Sequence, residues 1–271
     1  MGVFLNPVDV DGLKQHFSRI RIVLVEPSLA ANVGACARAM KTMGLGQLVV
    51  LNPKESVLDD AAMALASGAA DVLEQARVVD TLAQALSGCT WVVGTSARNR
   101  SLPWPMLTPA ELGRQVLQWP APAEVALLFG RERSGLTNEE LARCHYHLHI
   151  QANPDYSSLN LAAAVQVVCY ELRHQAMQNI AVEPVAELEL GPTYEAYEAY
   201  FDHLARLLVA VEFSTPDHLP RMMMKLRRLL LRAQPTAAEL NALRGILTQI
   251  DRAIGGSTPN ASNPMPAPVN Q

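Results

Sequence analysis

Ile20-Arg21-Ile22-Val23-Leu24-Val25 is a short apolar run that ends in Glu26-Pro27-Ser28, and Asn32-x-Gly34-x-x-x-Arg38 follows at once. A run of this length closed by a proline reads as a buried strand delivering the chain to a turn. Asn32 then suits a helix N-cap, because its side-chain oxygen can accept an orphan N–H. Cys36, Met40 and Met43 share one face at helical spacing, and Arg38 falls off that face. Helical side chains lean toward the N-terminus, so Arg38 is expected to reach back over the strand end, where open α/β sheets hold ligands. Taken alone, the same pattern fits a solvated arginine on an ordinary crossover helix.

The pattern repeats along the chain. Strand-like runs at 20–25, 47–51, 91–94, 125–129 and 146–150, with a weaker one at 77–79, alternate with helical patterns. The helices are expected at 33–43, 61–66, 81–86, 109–118 and 138–143, with a longer one starting near Ser157 and ending near Met177. Strands this apolar, separated by helices, predict a mostly parallel α/β sheet with helices on both faces. Residues 1–18 show little pattern and are expected to be a loosely tied lead-in. Residues 181–193, with two prolines and three glutamates, read as a linker. Residues 194–254 divide into about three helices, and the Gly/Ser/Pro/Asn-rich stretch 255–271 is expected to be disordered.

Bulk composition narrows the class. The 271 residues are 49% hydrophobic and 18% charged, which is globular in kind. No apolar run reaches membrane-spanning length and no signal pattern opens the chain, so a cytoplasmic protein is expected. Cys36, Cys89, Cys144 and Cys169 are widely spaced and read as reduced, small apolar fillers. A net charge of -4 exerts no global pull on nucleic acid, so any such binding needs a local basic surface. One exists: Arg221, Lys225, Arg227, Arg228 and Arg232 occur with no acid between His218 and Pro235, opposite Met222, Met223, Leu226, Leu229 and Leu230. Such a stretch fits a solvated face, and it is also the best candidate in the chain for contacting phosphates.

Three loops after strands carry chemistry-bearing residues. Gly94-Thr95-Ser96-Ala97-Arg98-Asn99-Arg100 leads to Trp104, offering small residues for close backbone approach, cations for phosphate and a ring for base stacking. Gly130-Arg131-Glu132-Arg133-Ser134-Gly135 follows the next strand, and Thr137 with Glu140 makes a capping box. It lacks the Gly-Lys-Ser/Thr ending of a phosphate loop, and Glu132 favours a cationic or hydroxyl-bearing ligand. Last, Ser157-Ser158-Leu159-Asn160-Leu161 opens the long helix; one cap explains one of these polar groups, not all three. His145, His147 and His149 share a strand face, but no carboxylate or cysteine completes a metal set, and none is expected.

Asn32-x-Gly34-x-x-x-Arg38, Leu128-Phe129-Gly130-x-Glu132-x-x-Gly135 and Ser157-Ser158-Leu159-Asn160-Leu161-Ala162 resemble, in that order, the SPOUT class of ribose 2′-O-methyltransferases over about residues 20–178. Glu26-Pro27-Ser28, Gly94-Thr95-Ser96-Ala97-Arg98, Leu102-Pro103-Trp104-Pro105 and Asn153-Pro154-x-Tyr156 sharpen the resemblance to the TrmJ family of tRNA methyltransferases. The resemblance implies a trefoil knot near the last strands, a homodimer sharing its active site, and S-adenosylmethionine as methyl donor. It assigns the cofactor to Thr95, Ser96, Ala97, Gly130, Ile150, Ser157, Ser158 and Leu159. It implies methylation of the ribose at nucleotide 32 of the tRNA anticodon loop, cytidine or uridine. Another tRNA or rRNA site is the alternative. Arg38 is then the catalytic residue, Asn32, Glu132, Ser158 and Asn160 shape its pocket, and Arg98, Arg100, Arg221, Lys225 and Arg228 hold RNA. A sulfonium methyl is already activated, so no metal is needed and the protein has chiefly to align the reactants. Two rivals stand beside this reading. A nicotinamide enzyme would need Gly-x-Gly-x-x-Gly after the first strand, which is missing, and a silent RNA-binding relative would have lost motif residues that are all present.

Overall fold

The computed structural model describes residues 10–96, 104–179 and 190–255. In chain order the elements are α1 (Val10–Ser18), β1 (Ile20–Val25), α2 (Ala30–Met43), β2 (Gln47–Leu51), α3 (Asp60–Ala66), α4 (Ala70–Glu74), β3 (Arg77–Val79), α5 (Leu82–Leu86) and β4 (Cys89–Thr95). Then come β5 (Met106–Leu107), α6 (Pro109–Gln118), β6 (Glu124–Phe129), α7 (Asn138–Leu141), β7 (Tyr146–Leu148) and α8 (Leu161–Asn179). Three further helices follow: α9 (Tyr194–Ala210), α10 (Leu219–Ala233) and α11 (Ala237–Gly255).

The strands form one sheet in the order β3-β2-β1-β6-β4-β7-β5, and each pairing is parallel. Alternation divides β1 between two cores. Ile20, Ile22 and Leu24 enter the core beneath α2, α6 and α8, whereas Val23 and Val25 enter the core shared with α5, α7 and Tyr194. Both faces are therefore covered, as the unbroken apolar runs required. The four cysteines are buried and unpaired, and burial pushes the thiols of Cys89 and Cys169 up to about 12. No described helix is long and apolar enough to cross a membrane.

Helix α2 buries Ala30, Val33, Cys36, Ala37 and Met40, and stops at Gly44, whose φ of 89° only glycine adopts cheaply. Gly34 lets two helices approach, since a Cβ there would stand 2.0 Å from the Ala62 carbonyl oxygen of α3. Asn32 is not the N-cap. The helix starts at Ala30, whose amide donates to the Glu55 carboxylate at 2.6 Å, while the Ser28 amide donates to Glu132. Acids from elsewhere in the chain satisfy this positive helix end, so the Asn32 side chain is released for other use.

Other boundaries also differ. The lead-in is not loose over Val10–Ser18: α1 buries Leu13 and Phe17 in the main core, an amphipathic signal too short to read beforehand. Strand β5 is two residues long and carries no pattern of its own. Helix α8 begins at Leu161 and not near Ser157, because Asn160 is its cap, its side-chain oxygen accepting the Ala162 amide at 2.9 Å. Residues 157–160 are left outside the helix. Most of the expected linker and almost all of the expected tail lie outside the described residues.

Candidate active site

Strand order decides where the loops meet. β6 lies between β1 and β4, and β4 lies between β6 and β7, so the chain leaving β4, β6 and β7 emerges along one stretch of the sheet edge. Backbone and side-chain bonds lock these exits together. The Ser96 amide donates to Leu148 O at 2.9 Å, Thr95 Oγ1 donates to Leu128 O at 2.9 Å, and His149 Nδ1 lies 3.1 Å from Ser96 O. They enclose a cavity of about 300 Å³.

Thr95 and Ser96 line it from β4, residues 130–136 from the loop after β6, and Ile150, Ser157, Ser158 and Leu159 from the loop after β7. These include every residue expected to hold the cofactor except Ala97, which lies outside the described residues, as do Arg98 and Arg100. Phe129, Leu136, Leu148 and Leu161 give the wall an apolar slot suited to a base, and serine and threonine hydroxyls offer polar contacts beside it. In size and donor set the cavity fits a nucleoside joined to an amino acid.

Glu132 on the wall is the end of a hydrogen-bonded chain of three side chains whose other two members, Asn32 and Asn160, are not among the lining residues. Asn160 Nδ2 donates to Asn32 Oδ1 at 3.1 Å, and Asn32 Nδ2 donates to Glu132 Oε1 at 2.9 Å. The Ser28 amide adds contacts of 3.2 and 3.1 Å to the two Glu132 oxygens. Burial, the largest effect on Glu132, pushes its carboxyl up. The bonds from Asn32 and Ser28 outweigh it, and the group lies below the usual carboxylate range. Motif residues from three separate segments are thereby joined.

Arg131 went unread in the sequence. Its guanidinium grips Glu26 through Nε and Nη2 at 2.9 and 2.6 Å, and Glu140 through Nη1 and Nη2 at 3.1 and 3.0 Å. Nη1 also donates to Gly135 O at 3.4 Å, so all five donors are engaged. The hydrogen bonds from Arg131 are the main cause of the low Glu26 carboxyl. Nothing local signals this clamp, since Glu26 is far away in sequence. Gly130 belongs to the same folded-back loop, where a Cβ would come 2.2 Å from the Gly135 carbonyl carbon.

Comparison with known proteins gives this geometry a family. Residues 19–170 match the SpoU rRNA Methylase family, and residues 195–259 match the tRNA methyltransferase TrmJ C-terminal domain. The tRNA (cytidine/uridine-2'-O-)-methyltransferase TrmJ of Pectobacterium atrosepticum is 53% identical over 86% of this chain and 97% of its own. That of Escherichia coli K12 is 52% identical over 88% of this chain and 97% of its own. The crystal structure of TrmJ from Z. mobilis ZM4 superposes with a TM-score of 0.76 at 33% identity, covering 85% of this chain and 98% of the other. The chain belongs to the TrmJ family of SpoU methylases.

In this TrmJ-family chain Arg38 stands apart from the cavity. It is exposed, it does not line the wall, and its side chain has no hydrogen bond or ion pair among the described residues. Six residues at about 100° each place it roughly a third of a turn from Asn32. Its absence from the cavity wall of its own chain differs from the position expected for it. Trp104 is also corrected: it is buried, donates to Cys144 O at 3.0 Å and stacks on His147 with centroids 5.0 Å apart, so it offers no face to a base. The imidazoles of the histidine ladder each have separate partners, His145 Nδ1 with the Val92 amide and His147 Nε2 with Leu141 O.

The basic helix α10 divides in two. Arg227 turns inward, pairing with Glu198 of α9 at 3.0 Å and lying 4.3 Å over the Phe201 ring, while Arg143 approaches Glu198 at 3.1 Å. Arg221 and Lys225 are exposed and Arg228 half-buried, and none of the three is ion-paired among the described residues.

Proposed function

We propose that this chain transfers a methyl group from S-adenosylmethionine to the 2′-hydroxyl of the ribose at nucleotide 32, cytidine or uridine, in the tRNA anticodon loop. The observation that carries the reading is one cavity lined by all the expected cofactor residues but Ala97 and by Glu132, which Asn32 and, through it, Asn160 hold from behind. When bound, S-adenosylmethionine supplies a methyl activated by its sulfonium sulfur. Thr95, Ser96, Ala97, Gly130, Ile150, Ser157, Ser158 and Leu159 would hold it, and the apolar wall excludes water from the base.

The protein's own part is alignment. Asn160 orients Asn32, and Asn32 fixes Glu132. Glu132 Oε2, which accepts the Ser28 amide, is the oxygen not bonded to Asn32 and is the one we assign to the substrate hydroxyl. Ser158 bounds the other side. A guanidinium is not deprotonated in proteins, so Arg38 acts by orienting the hydroxyl and stabilising the oxyanion as it forms. Because Arg38 lies outside the cavity of its own chain, we assign it to the site of a second copy in a homodimer. The exposed Leu29 and Tyr156, flanking the site, support such a contact. Residues 19–180 form the catalytic unit, with the knot the family implies. Residues 194–254 form the extension that grips the anticodon stem-loop through Arg221, Lys225 and Arg228, helped by Arg98 and Arg100, in the cytoplasm.

The test is transfer of labelled methyl groups to unmodified tRNA, followed by nucleoside mass spectrometry of the product. A 2′-O-methylated pyrimidine at position 32 is expected. Methylation of a different tRNA nucleotide or of rRNA would move the target. No 2′-O-methylation of any RNA would refute the reading.

A further inference from the structure

Within an RNA chain, a ribose 2′-hydroxyl stands on the carbon next to the one carrying the 3′-phosphate. A site that takes the hydroxyl must therefore seat a phosphate anion beside it. The cavity makes this demand acute, because Glu132 contributes an unneutralised carboxylate held only by neutral donors. Without a cation nearby, that carboxylate repels the phosphate.

Two cations line the cavity among the described residues, Arg131 and Arg133. Arg131 has no donor to spare, being spent on Glu26, Glu140 and Gly135. Arg133 differs in each respect. It is exposed, and it has no hydrogen bond or ion pair among the described residues. Its backbone is nonetheless held, since the Gly135 amide donates to Arg131 O at 2.8 Å and closes the turn around it. Residues on both sides are anchored by their side chains, Arg131 to two glutamates and Glu132 to Ser28 and Asn32. A free guanidinium is thus presented at the rim from a fixed stem, which lowers the ordering cost of binding.

We propose that Arg133 seats the phosphate on the 3′ side of the target ribose and so positions the 2′-hydroxyl against Glu132. This rests on the RNA 2′-O-methyltransferase reading above. A contact of this kind is a forked, charge-assisted one, and it makes binding depend on salt.

The experiment uses the full chain, unmodified tRNA transcript and S-adenosylmethionine, comparing wild type with Arg133→Gln and Arg133→Lys. Arg133→Gln is expected to raise KM for tRNA about ten-fold with kcat changed much less. The slope of log binding constant against log salt should fall by about 0.7 to 0.9, one phosphate contact. Arg133→Lys should recover the salt slope and part of the KM, since it restores the charge but not the fork, and calorimetric affinity for S-adenosylmethionine should stay unchanged in all three proteins. Unchanged tRNA KM and salt slope in Arg133→Gln would overturn the proposal. So would a loss of cofactor affinity, which would assign Arg133 to the cofactor's carboxylate. A lower melting temperature that lysine does not correct would make Arg133 structural and overturn it too. Wild-type protein inactive on every RNA would instead refute the functional reading, and this inference with it.

Discussion

Of the two residues proposed to act on the hydroxyl, Glu132 has its partners within this chain, whereas the Arg38 side chain has none among the described residues. Glu132 accepts from Ser28 and Asn32, so replacing it by Gln sets an amide donor against donors. Glu132→Gln is expected to cost about 1 to 2 kcal/mol of stability at pH 7 and to cut methyl transfer at least about a hundred-fold. The sign with pH follows from the lowered carboxyl. Its stabilisation is complete above the unfolded value of about 4.3 and fades as pH falls through the folded value. Urea unfolding of both proteins should therefore show the gap closing in acid below about pH 4; a constant gap would reject the assignment. For Arg38→Ala, methyl transfer should vanish while S-adenosylmethionine affinity stays nearly intact, because the role proposed for the side chain is toward the ribose hydroxyl and it is not among the residues lining the cavity of its own chain. Single-turnover assays on cofactor-saturated enzyme read this directly, and residual turnover near wild type would strip Arg38 of its role.

At the level of elements, the first motif divides its residues between site and packing. Asn32 faces the site, and Gly34 faces α3, where its missing Cβ lets the helices touch at Ala62. Gly34→Ala is expected to push α3 off α2 at a cost of about 1 to 3 kcal/mol, lowering Tm by roughly 2 to 10 °C. Calorimetry decides it, and an unchanged Tm would mean α3 shifts freely. The serine–asparagine segment shows the opposite division. Asn160 caps α8 with its oxygen and holds Asn32 with its nitrogen, which frees Ser157 and Ser158 from capping and leaves them on the cavity wall.

At the level of the molecule, α9 is fastened to the sheet by buried aromatic and polar contacts whose centre is His145. Burial drops its imidazole to about 4, and its Nδ1 accepts the Val92 amide while its ring meets Trp91 and Tyr197 edge-on. A base with a depressed folded value stabilises fully above the unfolded value of about 6.5, and that stability is lost as pH falls toward 4, in total about 3 kcal/mol. His16, also near 4 through burial and then Arg19, adds to the same window. His145→Gln keeps an acceptor for Val92 without titrating. Its unfolding free energy should vary less with pH between 6.5 and 4, by about one proton's worth of slope, in denaturant titrations. An identical slope would clear His145.

The α/β alternation, the apolar strands, the capping box at Thr137 and Glu140 and the three polar loops were legible because each depends on neighbours a few residues apart. Side-chain period and turn chemistry are local, and local rules survive folding. Three things were not legible: which strands are adjacent, what holds Glu132, and that Arg38 is not on the cavity wall of its own chain. The sheet order, the Arg131 clamp on Glu26 and the release of Asn32 from capping join residues remote in sequence. Pattern alone does not specify such pairings, because hydrogen bonds and close packing reward whichever groups the chain's path brings within reach. The candidate site residues were thus marked by local composition, and the gathering of the loops after β4, β6 and β7 around one cavity, with Arg133 free at its rim, was set by the path of the chain through the sheet.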